Sequence, residues 1–355
     1  MSAFDVSVVI PAHDGLPDVL EAAGSALAQT RAPLEVIVVD DRSRDGTGDA
    51  VERVFGARAP GEPAVRVLRG AFGGAGAARN AGWRAARGAW IAFLDADDLW
   101  FDGKLATAAD ALAAAPAAAW FFSDGAFRTL EGETRLSWLE TYAELPEHWS
   151  GQPVAELIEV NFVLTSSVVV RREALEAVGG FDPALSHAED VDLWIRLARR
   201  WPATASRRAL VRYQHRPGGL TRQIEARLNG DVALFERLAA DVTLAPALRR
   251  AARRRAALSH FKLGVSALRE GRRADSRAHF SAAWRLPERR VPVALATLAG
   301  LLPESWLALL RRQGWANRSA ASMKAVRRVV LRNTTTAPGE AAREDRSRAA
   351  SGRTP

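Results

Sequence analysis

The chain contains no cysteine. That excludes disulfides, thiolate metal sites and cysteine nucleophiles together. It also lacks an uninterrupted apolar run of the roughly 20 residues needed to cross a bilayer; the nearest stretch, Val291 to Leu310, is broken by Pro292, Pro303 and Glu304. Met1 to Asp5 holds no basic segment followed by a hydrophobic core, so no secretory signal is expected. A G-x-S-x-G nucleophile elbow is missing too. A cytoplasmic location fits these absences.

What is present is ordinary for a globular chain. Of 355 residues, 48% are apolar and 25% charged, enough for two domains or one large domain with appendages. The net charge of +8 hides a split. Ala245 to Pro355 carries 24 Lys+Arg against 7 Asp+Glu, or +17, and the preceding residues carry 25 against 34, or −9. An acidic front and a basic back imply different partners for each.

The organising stretch is Trp90 to Trp100, W-I-A-F-L-D-A-D-D-L-W. Its first five residues predict a buried strand that runs straight into Asp95, Asp97 and Asp98. In open α/β sheets ligands sit beyond the carboxyl ends of strands. Closely spaced carboxylates there suit Mg²⁺ or Mn²⁺, which could grip a phosphorylated ligand. The plainer reading is an acidic turn with a helix N-cap.

Before it, Val6 to Ile10 and Leu34 to Val39 are apolar runs of strand length, the second ending in Asp40-Asp41. Continuous apolar runs predict strands covered on both faces. Helical segments are expected from about Leu16 to Ala28 and Thr47 to Phe55, with a third strand over Val65 to Leu68. A glycine-rich turn, Gly70 to Gly76, then leads into a helix to about Arg87. The alternation is that of a doubly wound α/β domain, and the acidic stretch closes its fourth strand.

Gly74 to Arg79 is a poor dinucleotide fingerprint, since Arg79 stands where the third small residue belongs and the segment follows the third strand. Arg79, near a helix start, suits an anionic ligand instead, or else is a surface arginine. Further on, a helix over Lys104 to Ala115, a strand over Ala119 to Asp124, a helix over Val154 to Val160 and a strand over Ser166 to Val170 are expected. Phe127 to Ser150 shows little period and is left unplaced. Glu189 and Asp190 open a helix over Val191 to Leu197, where the dipole favours carboxylates; the alternative is a capped, acid-rich first turn.

Four segments together resemble one family. V-S-V-V-I-P-A-H-D-G, E-V-I-V-V-D-D-R-S-R-D-G-T, G-A-G-A-A-R-N-A-G-W-R-A-A-R-G-A-W-I-A-F-L-D-A-D-D, and G-G-F-D followed by A-E-D-V-D-L-W-I-R-L, are similar in order and spacing to the inverting family-2 glycosyltransferases of the GT-A fold. The likeness covers roughly residues 5 to 220. It implies a nucleotide-sugar-binding domain on a mixed, mostly parallel sheet, and transfer of a sugar from a nucleotide-diphosphate donor, with UDP expected, to a glycan or lipid-linked hydroxyl.

By that resemblance Pro11, His13 and Asp41 contact the nucleobase, although the family more often has Tyr-Asn where His13-Asp14 stands. Arg79 matches the A-R-N arginine near the nucleotide, Asp95 the acid near the ribose and Asp97 the metal ligand on the diphosphate. Asp190, beside Glu189, matches the catalytic base. His215, in Y-Q-H-R-P-G-G, matches a loop residue approaching the diphosphate or metal. Trp194, one turn beyond Asp190, either lines the acceptor site or is a core tryptophan.

The chain divides into a catalytic domain over 1–225, a basic α-helical extension over 226–332 and a polar tail over 333–355 expected to be disordered. Leu263-Gly264, Gly271, Ser276, Phe280 and Ala283 resemble one degenerate tetratricopeptide hairpin, which cannot stack alone. Val291 to Trp315 reads either as an interfacial helix, giving peripheral contact with the inner face of the cell membrane, or as a core-packing helix. A nucleic-acid partner is not expected, because the basic third lacks interleaved aromatic stacking residues. The alternative function is a non-catalytic sugar-nucleotide binder or scaffold.

Overall fold

The computed structural model describes residues 4–128, 134–146, 148–214, 224–284 and 329–331. Among them the chain alternates β1 (Val6–Ala12), α1 (Asp18–Leu27), β2 (Glu35–Asp41), α2 (Thr47–Phe55), β3 (Ala64–Gly70), α3 (Ala75–Ala85) and β4 (Trp90–Phe93). β1 and β2 are buried along their whole length, as continuous apolar runs demand. β3, β2, β1 and β4 lie side by side and parallel, so all four end on one edge.

The sheet then changes direction. After β5 (Leu99–Trp100), α4 (Lys104–Ala114) and β6 (Trp120–Arg128) come the short pieces β7 (Thr134–Ser137), α5 (Trp138–Tyr142), β8 (Ala143–Glu144) and β9 (His148–Gly151). These account for the segment without period, since elements of two to five residues are too short to show one. α6 (Val154–Glu159) precedes a 3₁₀ turn, Thr165–Ser167, and β10 (Val169–Arg171). The strand expected over Ser166 to Val170 is therefore shorter. Ser166 is outside the ladder: its carbonyl accepts Trp100 Nε1–H at 2.7 Å and its hydroxyl bonds the acidic turn.

β10 pairs antiparallel with both β4 and β6, which makes those two strands parallel to each other. After α7 (Arg172–Val178) and α8 (Glu189–Ala198), β11 (Ala203–Gln214) runs parallel to β6. The strand order is β3-β2-β1-β4-β10-β6-β11-β5. The carboxyl ends of β6 and β11 thus share an edge with those of β1, β2 and β4.

Two hydrophobic clusters fill the two faces, one around Val8, Ile10, Val36 and Phe121, the other around Val9, Ile37, Phe93 and Trp120. α3 lies close on β1 and β2: a Cβ on Gly82 would sit 2.4 Å from Val9 and 2.9 Å from Val39, closer than packed atoms approach. Trp194 is fully buried, stacked on Trp120 at 5.9 Å with an interplanar angle of 10° and edge-on to Phe181. The reading of Trp194 as an acceptor platform is thereby corrected, for a ring with no exposure has no face left for a sugar.

α9 (Ile224–Ala240), α10 (Pro246–Arg269) and α11 (Arg273–Ala283) follow. Phe235, Leu238, Ala252 and Ala256 join the same cluster as Phe93 and Trp120, so α9 and the start of α10 share the core of the sheet. The hairpin of α10 and α11 closes on Phe261 and Phe280, 5.8 Å apart. No helix among the described residues is long and apolar enough to cross a membrane. His215, the Val291 to Trp315 segment and the 333–355 tail lie outside the described residues.

Candidate active site at the carboxyl edge of the sheet

The site begins where β1 and β2 end. Asp14 N–H donates to Ser43 Oγ at 3.0 Å, Gly15 N–H to Thr47 Oγ1 at 3.0 Å and Leu16 N–H to Asp45 Oδ2 at 2.9 Å, lacing the two loops together. Pro11 lies within β1 beside Val39. His13 contacts the Asp41 carbonyl oxygen through Nδ1 at 2.6 Å and leaves 62% of its side chain exposed, available to a ligand.

Asp41 organises the glycine turn. Its carboxylate accepts N–H bonds from Phe72 at 2.8 Å, Gly73 at 3.0 Å and Gly74 at 2.8 Å. Gly73 at φ 89° and Gly74 at φ 125° reach it through backbone conformations that side chains disfavour. Burial raises the Asp41 pKa, but the three N–H donors and Arg42 outweigh it and hold the group below the ordinary carboxylate range. A carboxylate offers about four acceptor positions, of which these N–H groups take three.

α3 carries the A-R-N segment inward. Asn80 accepts from the Phe181 N–H at 2.9 Å and donates to its carbonyl at 2.8 Å, docking the G-G-F-D loop on α3. Arg79 is only 5% exposed, which excludes the surface reading. One end of its guanidinium bonds Asp95 at 2.6 Å and the other Glu189 at 3.1 Å, over a sequence separation of 110 residues. The Phe181 ring lies 5.3 Å beneath it. Burial opposes the charge, yet Asp95 and Glu189 prevail and raise the pKa, so Arg79 stays a cation.

The three acids of the turn separate into different roles. Asp98 is 2% exposed, accepts from Ser166 Oγ at 2.5 Å and from the Gln214 N–H at 3.2 Å, and ties the turn to the 3₁₀ segment and the end of β11. Burial first, then the Asp95 and Asp97 charges, push its pKa well up. Asp95 receives Arg79, and its N–H donates to Ser166 Oγ at 3.0 Å. Asp97 accepts a hydrogen bond only from its own N–H among the described residues. Burial and the Asp95 charge push it up to about 6.

A divalent cation fits Asp97. The carboxylate has free acceptor capacity, and burial and repulsion from Asp95 outweigh the Arg79 charge on it, a balance that a cation would relieve. Among the described residues no three His, Asp or Glu side chains gather to hold a metal. Asp97 would then supply one or two bonds and leave the rest to ligand phosphates and water, the usual pattern for Mg²⁺.

Asp190 sits on the first turn of α8. Its Oδ1 accepts the Val191 N–H at 2.8 Å and its Oδ2 accepts Asn161 Nδ2 at 3.1 Å. Burial and the Glu189 charge raise its pKa, while the Val191 N–H, Arg79 and Asn161 lower it, leaving it pushed up to about 7. A carboxyl group titrating there can take a proton from a hydroxyl at neutral pH. Asn161 and Ser166 escaped the sequence reading. The only local signal is a lone amide within apolar V-N-F-V-L and a Ser-Ser pair ahead of an apolar strand, neither of which names a partner.

Residues 7–179 match the family described as glycosyl transferase family 2. These residues form a glycosyl transferase family 2 domain. Within the family it is 34% identical over 100 residues to a UDP-Glc:alpha-D-GlcNAc-diphosphoundecaprenol beta-1,3-glucosyltransferase of Escherichia coli, covering 28% of this chain and 38% of that one. Its fold is similar to that of S. aureus TarS 1-349 in complex with UDP-GlcNAc, with TM-score 0.61, 17% identity, and coverage of 87% and 92% of the two chains. It is also similar to a mannosyltransferase of Pyrobaculum calidifontis in complex with GDP-Man and Mn²⁺, with TM-score 0.60, 21% identity, and coverage of 90% and 84%. The family-2 chain therefore has the GT-A fold, with C-terminal helices added. Its matches span 14% to 38% of the length of eight curated relatives.

Proposed function

We propose that this family-2 glycosyltransferase is a metal-dependent, inverting enzyme that moves a sugar from a UDP-sugar to a hydroxyl of a glycan or lipid-linked acceptor in one displacement. The observation that carries it is the Arg79 fork. One buried cation joins the acidic turn holding Asp95 and Asp97 to the helix start holding Glu189 and Asp190. That link supports a donor grip and a base acting on the same sugar although they lie far apart in sequence.

In the step itself the acceptor oxygen attacks the anomeric carbon while Asp190 takes its proton. The bond from that carbon to the diphosphate oxygen breaks, and the diphosphate leaves with the electron pair. A divalent cation at Asp97 would offset the charge developing on the diphosphate. Arg79 and Glu189 position the two sides, and no covalent nucleophile is needed. Pro11, His13 and Asp41 line the nucleobase end, with Asp95 nearer the ribose. UDP-linked sugars in the names of the Escherichia coli and TarS proteins, and Mn²⁺ in that of the mannosyltransferase, support these choices.

Calorimetric titration of UDP and GDP, with Mn²⁺ and with EDTA, tests the donor side. UDP is expected to bind with the metal and to lose most of its affinity in EDTA. Because the metal needs the ionised carboxylate, that affinity should fall as pH drops through about 6. Equal UDP binding in EDTA would remove metal dependence, and no binding of either nucleotide would remove the donor site.

Asn161→Ala tests the base. Its amide stabilises the ionised form of Asp190, so removing it raises the pKa further. The acid limb of kcat against pH is expected to move upward, with a roughly three- to ten-fold loss at pH 7 and little change well above it. An unshifted profile would detach Asn161 from the base.

Peripheral membrane contact through the basic helices, at the inner face of the cell membrane, belongs to the same proposal. Part of their charge is already engaged within the protein, Arg254 with Glu159 and Arg255 with Asp231.

A further inference from the structure

The chain has only two tyrosines, and both stand in one aromatic cluster. Trp138 lies 4.8 Å from Tyr142, 5.3 Å from Phe127 and 5.8 Å from Tyr213, and Tyr213 meets Phe127 edge-on at 5.5 Å. All four rings are half-buried. Phe127, Trp138 and Tyr213 belong to neither buried cluster of the core, and Tyr142 only packs against its margin. Rings held together yet still partly wet, outside the core, need a reason other than packing.

Their place in the sheet supplies it. Phe127 and Tyr213 are paired neighbours at the carboxyl ends of β6 and β11, on the same edge as the acidic turn. On one side, Leu99, which follows Asp98, pairs with Arg212, which precedes Tyr213, and the Gln214 N–H reaches Asp98 itself. On the other, Trp138 Nε1–H donates to the Phe162 carbonyl at 2.8 Å, one residue from Asn161, which holds Asp190. The cluster is therefore tied on one side to the turn that would hold the diphosphate and on the other to the segment that holds the carboxylate that would take the acceptor proton. The nucleobase end, at β1 and β2, lies on the far side of β4.

We propose that Trp138, with Tyr142 and Tyr213, forms the acceptor subsite, a platform on which a pyranose ring of the acceptor stacks its C–H face. This rests on the transferase reading only in naming Asp190 as the base. Aromatic side chains with a polar tip suit such a place, because the ring faces are apolar and the edge is wet. The rings already brace one another, so little side-chain freedom is lost on binding. The platform takes the role that Trp194, sealed in the core, cannot fill.

The test is saturation-transfer NMR on the full chain with the methyl pyranosides of glucose, galactose, mannose and N-acetylglucosamine, with UDP titrated into the same samples. At least one sugar is expected to receive saturation on its ring C–H protons. Trp138→Phe keeps a ring but loses the bond to Phe162, whereas Trp138→Ala loses both. Affinity should fall roughly ten-fold in Trp138→Ala and survive in Trp138→Phe. Melting temperature and UDP affinity identify any variant that has failed to fold, and Tyr213→Ala gives a second reading. Loss in both Trp138 variants alike would leave the ring as a brace only and overturn the platform. Retention in both, or no saturation of any sugar by the unaltered chain, would overturn it as well. UDP binding without sugar binding sinks the subsite alone, while sugar binding without UDP binding keeps the subsite and sinks the donor reading.

Discussion

Asp190→Asn is expected to lower kcat by about a thousand-fold while leaving UDP affinity and melting temperature nearly unchanged, the range a positioned general base provides. The amide is isosteric, and the Val191 N–H can still meet its oxygen. What goes is the capacity to accept a proton. In the unaltered enzyme the rate should rise with pH through about 7 and then level, because only the ionised carboxylate acts as a base and burial holds its pKa there. The residual rate of the variant should lack that limb. A variant retaining both rate and limb would move the base to another residue.

Arg79→Leu carries the second large effect. The substitution fills the space but leaves Asp95 and Glu189 facing each other without their shared cation. Removing one member of a buried ion pair costs about 3–5 kcal/mol; Asp95 and Glu189 keep 29% and 14% of their side-chain exposure, so a loss near about 2–3 kcal/mol is expected here. Chemical denaturation reads it as a lower midpoint at unchanged slope. The same substitution withdraws a charge that lowers the Asp190 pKa, so the acid limb should shift upward in whatever activity remains. Arg79→Lys should recover part of the stability and little of the alignment, since one ammonium cannot present a fork to two carboxylates. Full stability in Arg79→Leu would mean that the two carboxylates find other partners.

The contrast between Asp97 and Asp98 shows where sequence reading stops. Both follow the same strand and look alike in D-A-D-D, yet Asp98 is taken up by Ser166 and Gln214 while Asp97 keeps its acceptor capacity. Those partners come from remote segments, and no spacing within the turn reveals them. Trp194 makes the same point. Its position one turn past Asp190 left a sugar platform open beside a core tryptophan, but helical spacing fixes the face a residue shares, not what that face meets.

The sequence by itself determined the order of strands and helices through the sheet half, the edge on which the acids fall, and the helix start that carries Glu189 and Asp190. Apolar runs, glycine turns and terminal carboxylates are local signals, and local geometry responds to them. Only the tertiary structure decided that Arg79 is buried between Asp95 and Glu189, that Asn161 holds Asp190, and that Trp138 and Tyr213 meet. It likewise decided the place of β10, a three-residue strand inserted antiparallel between β4 and β6. A strand so short carries no period, and its pairing is won by burial against distant strands rather than by anything within it.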